Sequence, residues 1–102
     1  MNNDRELLED AVKAIGETYF EHAPEGGLYL SNNEAWNPLA DDGDAFRLAV
    51  RLSFCISPPD PYLNKVYVSA YGTGAVEDCG DDPYAATRRA IVRAAAEIGR
   101  NA

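Results

Sequence analysis

The C-terminal fifth of the chain combines a strong helix start with a face of small side chains. Asp82 followed by Pro83 is typical of an N-cap and the first helical position, and it predicts a helix near 83–99. One stripe of this helix consists of Tyr84, Thr87, Ile91, Ala94, Ala95 and Ile98. Because many of these side chains are small, the predicted helix can approach a sheet or another helix closely.

A capping-box pattern stands at the beginning of the chain. Asn3 precedes Glu6 by three residues, the spacing at which an N-cap and a first-turn glutamate satisfy free backbone N–H groups. The apolar residues that follow recur at helical spacing, namely Leu7, Leu8, Ala11, Val12, Ile15 and Tyr19. A helix near 4–19 with one buried face is therefore predicted.

An aspartate cluster precedes a further predicted helix, near 42–51. Either Asp41 or Asp42 is the expected N-cap, because carboxylates are favoured at the positive end of the helix dipole. The cluster lacks the ligand spacing of a calcium loop, so we interpret it as a cap rather than a metal site. The buried side is expected to carry Phe46, Ala49, Val50 and Leu52 or Ser53.

Alternating side chains predict a small antiparallel sheet of about three strands, near 52–57, 66–71 and 74–77. The middle strand is the clearest of the three. One of its faces holds Val66, Val68 and Ala70, and the other holds Tyr67, Ser69 and Tyr71. Residues 1–102 are thus expected to form a single α+β domain in which three helices pack against the sheet.

The negative charge of the protein is concentrated in its first half. Residues 1–44 hold eleven acidic side chains and two basic ones, whereas residues 45–102 hold six and seven, for a net charge of −8. Binding to nucleic acid or to a membrane surface depends on Lys and Arg contacts, so neither is expected here. A basic protein partner is compatible with this distribution, and solubility alone is the alternative explanation.

The cysteines and the single histidine show no pattern of a metal or catalytic site. The N-terminal residues lack the layout of a secretory signal, which favours a cytoplasmic protein. In that compartment Cys55 and Cys79 are expected to be separate buried thiols rather than a disulfide. Neither they nor His22 show paired ligand spacing, and no nucleophile motif accompanies His22. We therefore expect no metal, no cofactor and no enzymatic activity.

Two surfaces are candidates for contact with a protein partner. The leading candidate is the strand face that carries Tyr67, Ser69 and Tyr71, which would be free if helices cover only the opposite face. The other is the acidic surface of the first helix, with Glu6, Glu9 and Asp10. A homodimer through an exposed strand or the alanine-rich helix is also compatible with the sequence.

Trp36 and the arginines of the last helix each allow two interpretations. Trp36 follows a polar loop and precedes Asn-Pro, which favours a packing anchor, with a partner-binding role as the alternative. Arg89, Arg93 and Arg100 favour a solvated helix face. Alternatively, these three arginines bind a phosphate-bearing ligand.

Three segments of the chain carry a family resemblance. Asp4-Arg5-Glu6-Leu7-Leu8 begins one that runs to Gly16, Trp36-Asn37-Pro38 begins one that runs to Val50, and the third spans residues 86–95. Together they resemble small proteins of tailed bacteriophages and prophages, grouped as the phage ABA sandwich domain. The resemblance implies a phage accessory protein and carries no catalytic residues.

The resemblance and the acidic first half lead to one principal functional hypothesis. We expect a non-enzymatic protein that binds and inhibits a host protein, of the anti-CRISPR kind, whose partner is a basic, nucleic-acid-binding protein of an antiviral system. One alternative is a small-ligand binder that sequesters a nucleotide signal between the arginines of the last helix and the tyrosines. Another is a structural or assembly protein of the virion.

Overall fold

The computed structural model describes residues 3–57, 59–60, 62–70 and 72–101, which form three helices and two three-stranded antiparallel sheets. The helices are α1 (Asp4–Ala14), α2 (Asp42–Arg51) and α3 (Pro83–Arg100). The first sheet contains β1 (Tyr19–His22), β2 (Leu28–Leu30) and β3 (Ala35–Trp36). The second sheet contains β4 (Cys55–Ser57), β5 (Lys65–Ala70) and β6 (Thr73–Asp78). The predicted α+β class is confirmed.

Helix α3 is the central element of the fold. It contacts α1, α2, β5 and β6. On its sheet side it covers Val66, Val68 and Ala75, which are all buried. Most of the buried residues of α3 are small, and they are Ala86, Ala90, Ile91, Val92, Ala94, Ala95, Ala96 and Gly99. Short side chains on several sides of one helix allow these neighbours to pack closely around it.

Helices α1 and α3 run in the same direction and touch backbone to backbone. Arg89, in the first half of α3, reaches Asp4 at the start of α1, whereas Gly99, near the end of α3, contacts Asp10. A Cβ atom on Gly99 would overlap the carbonyl oxygen of Asp10. Glycine is therefore the residue that fits at this crossing.

The three predicted helix starts are confirmed by their hydrogen bonds. The side chain of Asn3 accepts from the N–H of Glu6, and the side chain of Asp41 accepts from the N–H of Asp44. Asp82 caps α3 by accepting from two backbone N–H groups, with Pro83 as the first helical residue. These caps depend on residues adjacent in the sequence, which is why the pattern alone locates them.

The first helix is shorter than predicted, and strands follow it. Helix α1 ends at Ala14, and Gly16 adopts a positive φ of 72°, a conformation that terminates helices. Tyr19, which continues the helical spacing in the sequence, lies instead in β1. The first sheet is therefore an addition to the single sheet that we predicted.

The buried side of α2 also differs from the prediction. Phe46 and Val50 are 66% and 60% exposed, and the buried residues are Ala45, Leu48 and Ala49. After the helix, Ser53 adopts a positive φ of 58°, so the next strand begins only at Cys55. Helix α2 packs on the core through Leu48 and two alanines, which leaves Phe46 and Val50 in solvent.

Substitution of Gly99 by alanine tests the backbone contact between α1 and α3. We expect G99A to lower the free energy of unfolding by about 3 kcal/mol, because the added methyl group must push α1 away from α3. Chemical denaturation monitored by circular dichroism measures the change. The control is G43A in α2, where the new Cβ meets the ends of the Arg47 and Asp41 side chains and not a backbone atom. A stability for G99A within about 0.5 kcal/mol of the original protein would contradict the close contact.

Candidate functional site

The outer face of the second sheet is open to solvent where the structure describes it. Tyr67 is 39% exposed and Ser69 is exposed, while the alternating Val66 and Val68 are buried beneath α3. Direct cross-strand pairing places Ser57 and Val76 on either side of Tyr67. Tyr71, the third member of the predicted tyrosine face, lies outside the described residues.

The three acidic residues predicted on the first helix have different environments. Glu9 is half-buried and hydrogen-bonded to His22, with 2.8 Å between Oε2 and Nε2. The carboxylate of Asp10 lies near two basic side chains, with 3.7 Å from its Oδ1 to Nζ of Lys13 and 3.9 Å from its Oδ2 to Nε of Arg100. Glu6 is exposed at the first turn. Glu9 and Asp10 therefore take part in contacts within the fold, whereas Glu6 remains available to a partner.

Trp36 is buried, and the arginines of α3 form separate ion pairs. Trp36 is 8% exposed and belongs to the hydrophobic core, in agreement with a packing anchor. Each arginine pairs with a different part of the fold: Arg89 with Asp4 of α1, Arg93 with Glu77 of β6, and Arg100 with Glu97 of its own helix. Tyr67 lies on the sheet face opposite α3, and Arg93 reaches the edge of this sheet, where it donates to the carbonyl oxygen of Val76, the cross-strand neighbour of Tyr67.

The first sheet carries an exposed aromatic pair among acidic side chains. The rings of Phe20 and Tyr29 stack with 6.1 Å between their centroids, and Phe20 is 54% exposed. Glu21 is paired with Tyr29 across the strands, and the Tyr29 hydroxyl donates to Oε1 of Glu25 at 3.2 Å. This hydrogen bond and the charges of Glu25 and Glu21 raise the pKa of Tyr29. We refer to Phe20, Glu21, Glu25 and Tyr29 as the acidic aromatic surface.

Sequence reasoning missed the acidic aromatic surface because it placed Tyr19 in a helix near 4–19 and predicted no sheet between this helix and residue 42. One signal was nevertheless present. Between Lys13 and Arg47 the sequence contains no Lys or Arg, although it contains seven acidic residues: Glu17, Glu21, Glu25, Glu34, Asp41, Asp42 and Asp44. A segment of this composition leaves most of its negative charge without nearby basic side chains.

The described residues hold no group of three or more His, Cys, Asp or Glu side chains close enough to bind a metal ion. The two cysteines are free, and Cys55 is exposed rather than buried as predicted, because it lies on the uncovered face of the edge strand β4. Over the same residues, none of the helices is both long and apolar enough for a membrane crossing.

The Glu9–His22 pair makes the stability of the fold dependent on pH. The hydrogen bond from His22, and more weakly one from Tyr19, lower the pKa of Glu9 in the folded state against a smaller opposing effect of burial. A carboxyl group whose pKa is lowered by folding stabilises the protein above its unfolded pKa of about 4.3. This contribution disappears as the pH falls through the folded pKa.

Replacing Glu9 by glutamine tests this linkage. We expect E9Q to lower the free energy of unfolding at pH 7 by about 1 kcal/mol. Because glutamine does not titrate, the variant should also lose less stability than the original protein when the pH falls from neutral to acidic. Urea denaturation across the pH range measures both effects. The exposed Glu6 provides the control, and E6Q should leave the pH profile unchanged. Parallel pH profiles for E9Q and the original protein would refute the role of the pair.

Comparison of the chain with models of protein families, with curated proteins and with solved structures finds no match. The fold and the site geometry are therefore known from this chain alone. The resemblance to the phage ABA sandwich domain stays a prediction from the sequence.

Proposed function

We propose that the chain is a non-enzymatic accessory protein of a tailed bacteriophage or prophage that binds and inhibits a basic host protein. In this proposal the host protein belongs to an antiviral defence system and uses its basic surface to bind nucleic acid. The phage origin rests on the resemblance of residues 4–16, 36–50 and 86–95. The mode of binding rests on the acidic aromatic surface.

The acidic aromatic surface has the composition of a protein-binding site for basic side chains. Exposed aromatic residues are frequent anchors in protein interfaces, and arginine and lysine are attracted to the faces of aromatic rings. Phe20 and Tyr29 supply two stacked rings, and Glu21 and Glu25 supply negative charge beside them. An arginine that lies on the rings can therefore also pair with a carboxylate.

The distribution of charge supports a basic partner over a neutral one. The net charge of −8 arises in the first half of the chain, which includes the whole first sheet. Charge complementarity of this kind increases the rate of association and discriminates against acidic partners. A protein that presents such a surface competes with nucleic acid for a basic groove.

In this proposal His22 has a structural role. Its Nε2 is hydrogen-bonded to Glu9, and its ring contacts the ring of Tyr19 edge-on at 5.4 Å between centroids. Within the part of the chain that the structure describes, no serine, threonine or cysteine is hydrogen-bonded to it. The hydrogen bond between His22 and Glu9 thus links β1 to α1.

Charge reversal at the acidic aromatic surface tests the proposed binding mode. We expect the double variant E21K/E25K to weaken binding of a synthetic arginine-rich peptide at least about tenfold, or about 1.4 kcal/mol. Fluorescence anisotropy at low ionic strength measures the Kd. F20A should also weaken binding, because the exposed ring contributes the anchor.

The matched control is D81K/E97K, which changes the net charge equally at exposed positions outside the first sheet. We expect it to keep most of the affinity for the peptide. Affinity capture from bacterial lysate then uses the same pair of variants: D81K/E97K should recover the host protein that E21K/E25K loses. Equal weakening by the two double variants would show that net charge alone drives binding and would overturn the proposed surface.

A further inference from the structure

A cleft of about 650 Å³ opens where the two terminal helices begin, beside the turn that carries Glu25 of the acidic aromatic surface. The first turn of α1 forms one wall, with Asp4, Arg5 and Leu8, and the early part of α3 adds Ala85 and Arg89. The turn between β1 and β2 and the loop before α2 complete the lining. Clefts of this volume hold molecules of metabolite size.

Arg5 is exceptional among the basic residues of the protein. All eight other Lys and Arg side chains form an ion pair within 4.0 Å, in a protein with 17 acidic residues. Arg5 forms none with any described residue, and it lines the cleft. The second cleft arginine, Arg89, is held by Asp4 through a hydrogen bond of 2.9 Å. The cleft therefore contains one unpaired guanidinium group beside one that is already oriented.

The direction of the helices adds to the positive potential of the cleft. Because α1 and α3 are parallel, both of their N-terminal ends lie at this side of the molecule. The N-terminal end of a helix carries a partial positive charge that favours anions. Asp82 already accepts from the first N–H groups of α3, and Asp4 pairs with Arg89, so the unpaired Arg5 is the main attraction for an anion with several acceptor oxygens. A phosphate group has this property.

The remaining lining is apolar, with one amide. Leu8, Pro24, Leu39 and Ala85 contribute apolar surface suited to a flat organic group. Asn37 also lines the cleft. An asparagine amide pairs well with the edge of a nucleobase, which offers both a donor and an acceptor.

From these features we propose that the cleft is a binding site for a nucleoside monophosphate. The phosphate binds Arg5 and Arg89 at the helix starts, and the base lies against the apolar lining with its edge toward Asn37. A long nucleic acid is disfavoured, because the net charge of −8 repels a chain of phosphates. This site does not rest on the proposed function and shares no residue with the acidic aromatic surface, although Glu25 of that surface lies between the cleft residues Pro24 and Gly26.

Titration of the isotope-labelled full chain, followed by NMR, tests the proposal. The probes are AMP, GMP, CMP and UMP, with adenosine and inorganic phosphate in parallel. We expect at least one nucleotide to bind at submillimolar concentration and to shift the backbone signals of Ala23, Gly26, Gly27 and Ala85. Adenosine and inorganic phosphate should each bind at least about tenfold more weakly, because each makes only half of the contacts.

Two variants separate the cleft from nonspecific charge effects. R5Q removes an exposed side chain that has no ion pair to break, and it should weaken nucleotide binding at least about tenfold. R93Q removes an arginine that pairs with Glu77 outside the cleft, and it should leave binding unchanged. The proposal is overturned if no nucleotide binds at millimolar concentration, if inorganic phosphate binds as tightly as the nucleotides, or if R93Q weakens binding as much as R5Q.

Discussion

The contact between Gly99 of α3 and the backbone of Asp10 in α1 determines how the rest of the molecule is arranged. It holds two parallel helices so close that no side chain fits between them at this point. The same helix then covers the second sheet with alanine and valine side chains on its other side. Helix α3 is therefore buried on several sides, by α1, by α2 and by β5 and β6 of the second sheet.

The parts of the fold that could be predicted from the sequence are those with local causes. Each helix start depends on an N-cap side chain that bonds to a backbone N–H within three residues. The alternation of buried and exposed side chains in β5 depends only on this strand and on the helix that covers one of its faces. The first sheet could not be predicted in this way. Its strands have four, three and two residues, which is too few to show an alternation of apolar and polar side chains. In addition, Tyr19 continues the helical spacing of the apolar residues before it. Gly16 ends the helix there through its backbone conformation.

The candidate sites show the same division between local and distant causes. The exposure of Tyr67 and Ser69 follows from their alternation with buried valines. The pairing of Glu9 with His22, and of Asp10 with Arg100, joins residues that are distant in the chain, so no sequence pattern indicated that these acids are occupied. Ion pairs bind most of the basic side chains in this way. Part of the negative charge remains at Glu21 in the first sheet and at Glu25 and Glu34 in its turns, which pair with no described Lys or Arg.

The parallel packing of the two terminal helices also has a consequence for the folding kinetics. The 68 residues between Ala14 and Pro83 must form a closed loop before α1 and α3 can touch. Closing a long loop reduces chain entropy before any core contact compensates for it, and proteins dominated by such distant contacts fold slowly. Helix α3 directly follows the second sheet in the chain, so it can cover β5 and β6 before this loop has closed. Only its contact with α1 must wait for loop closure, and this contact links the folding of the first residues of the chain to that of the last ones.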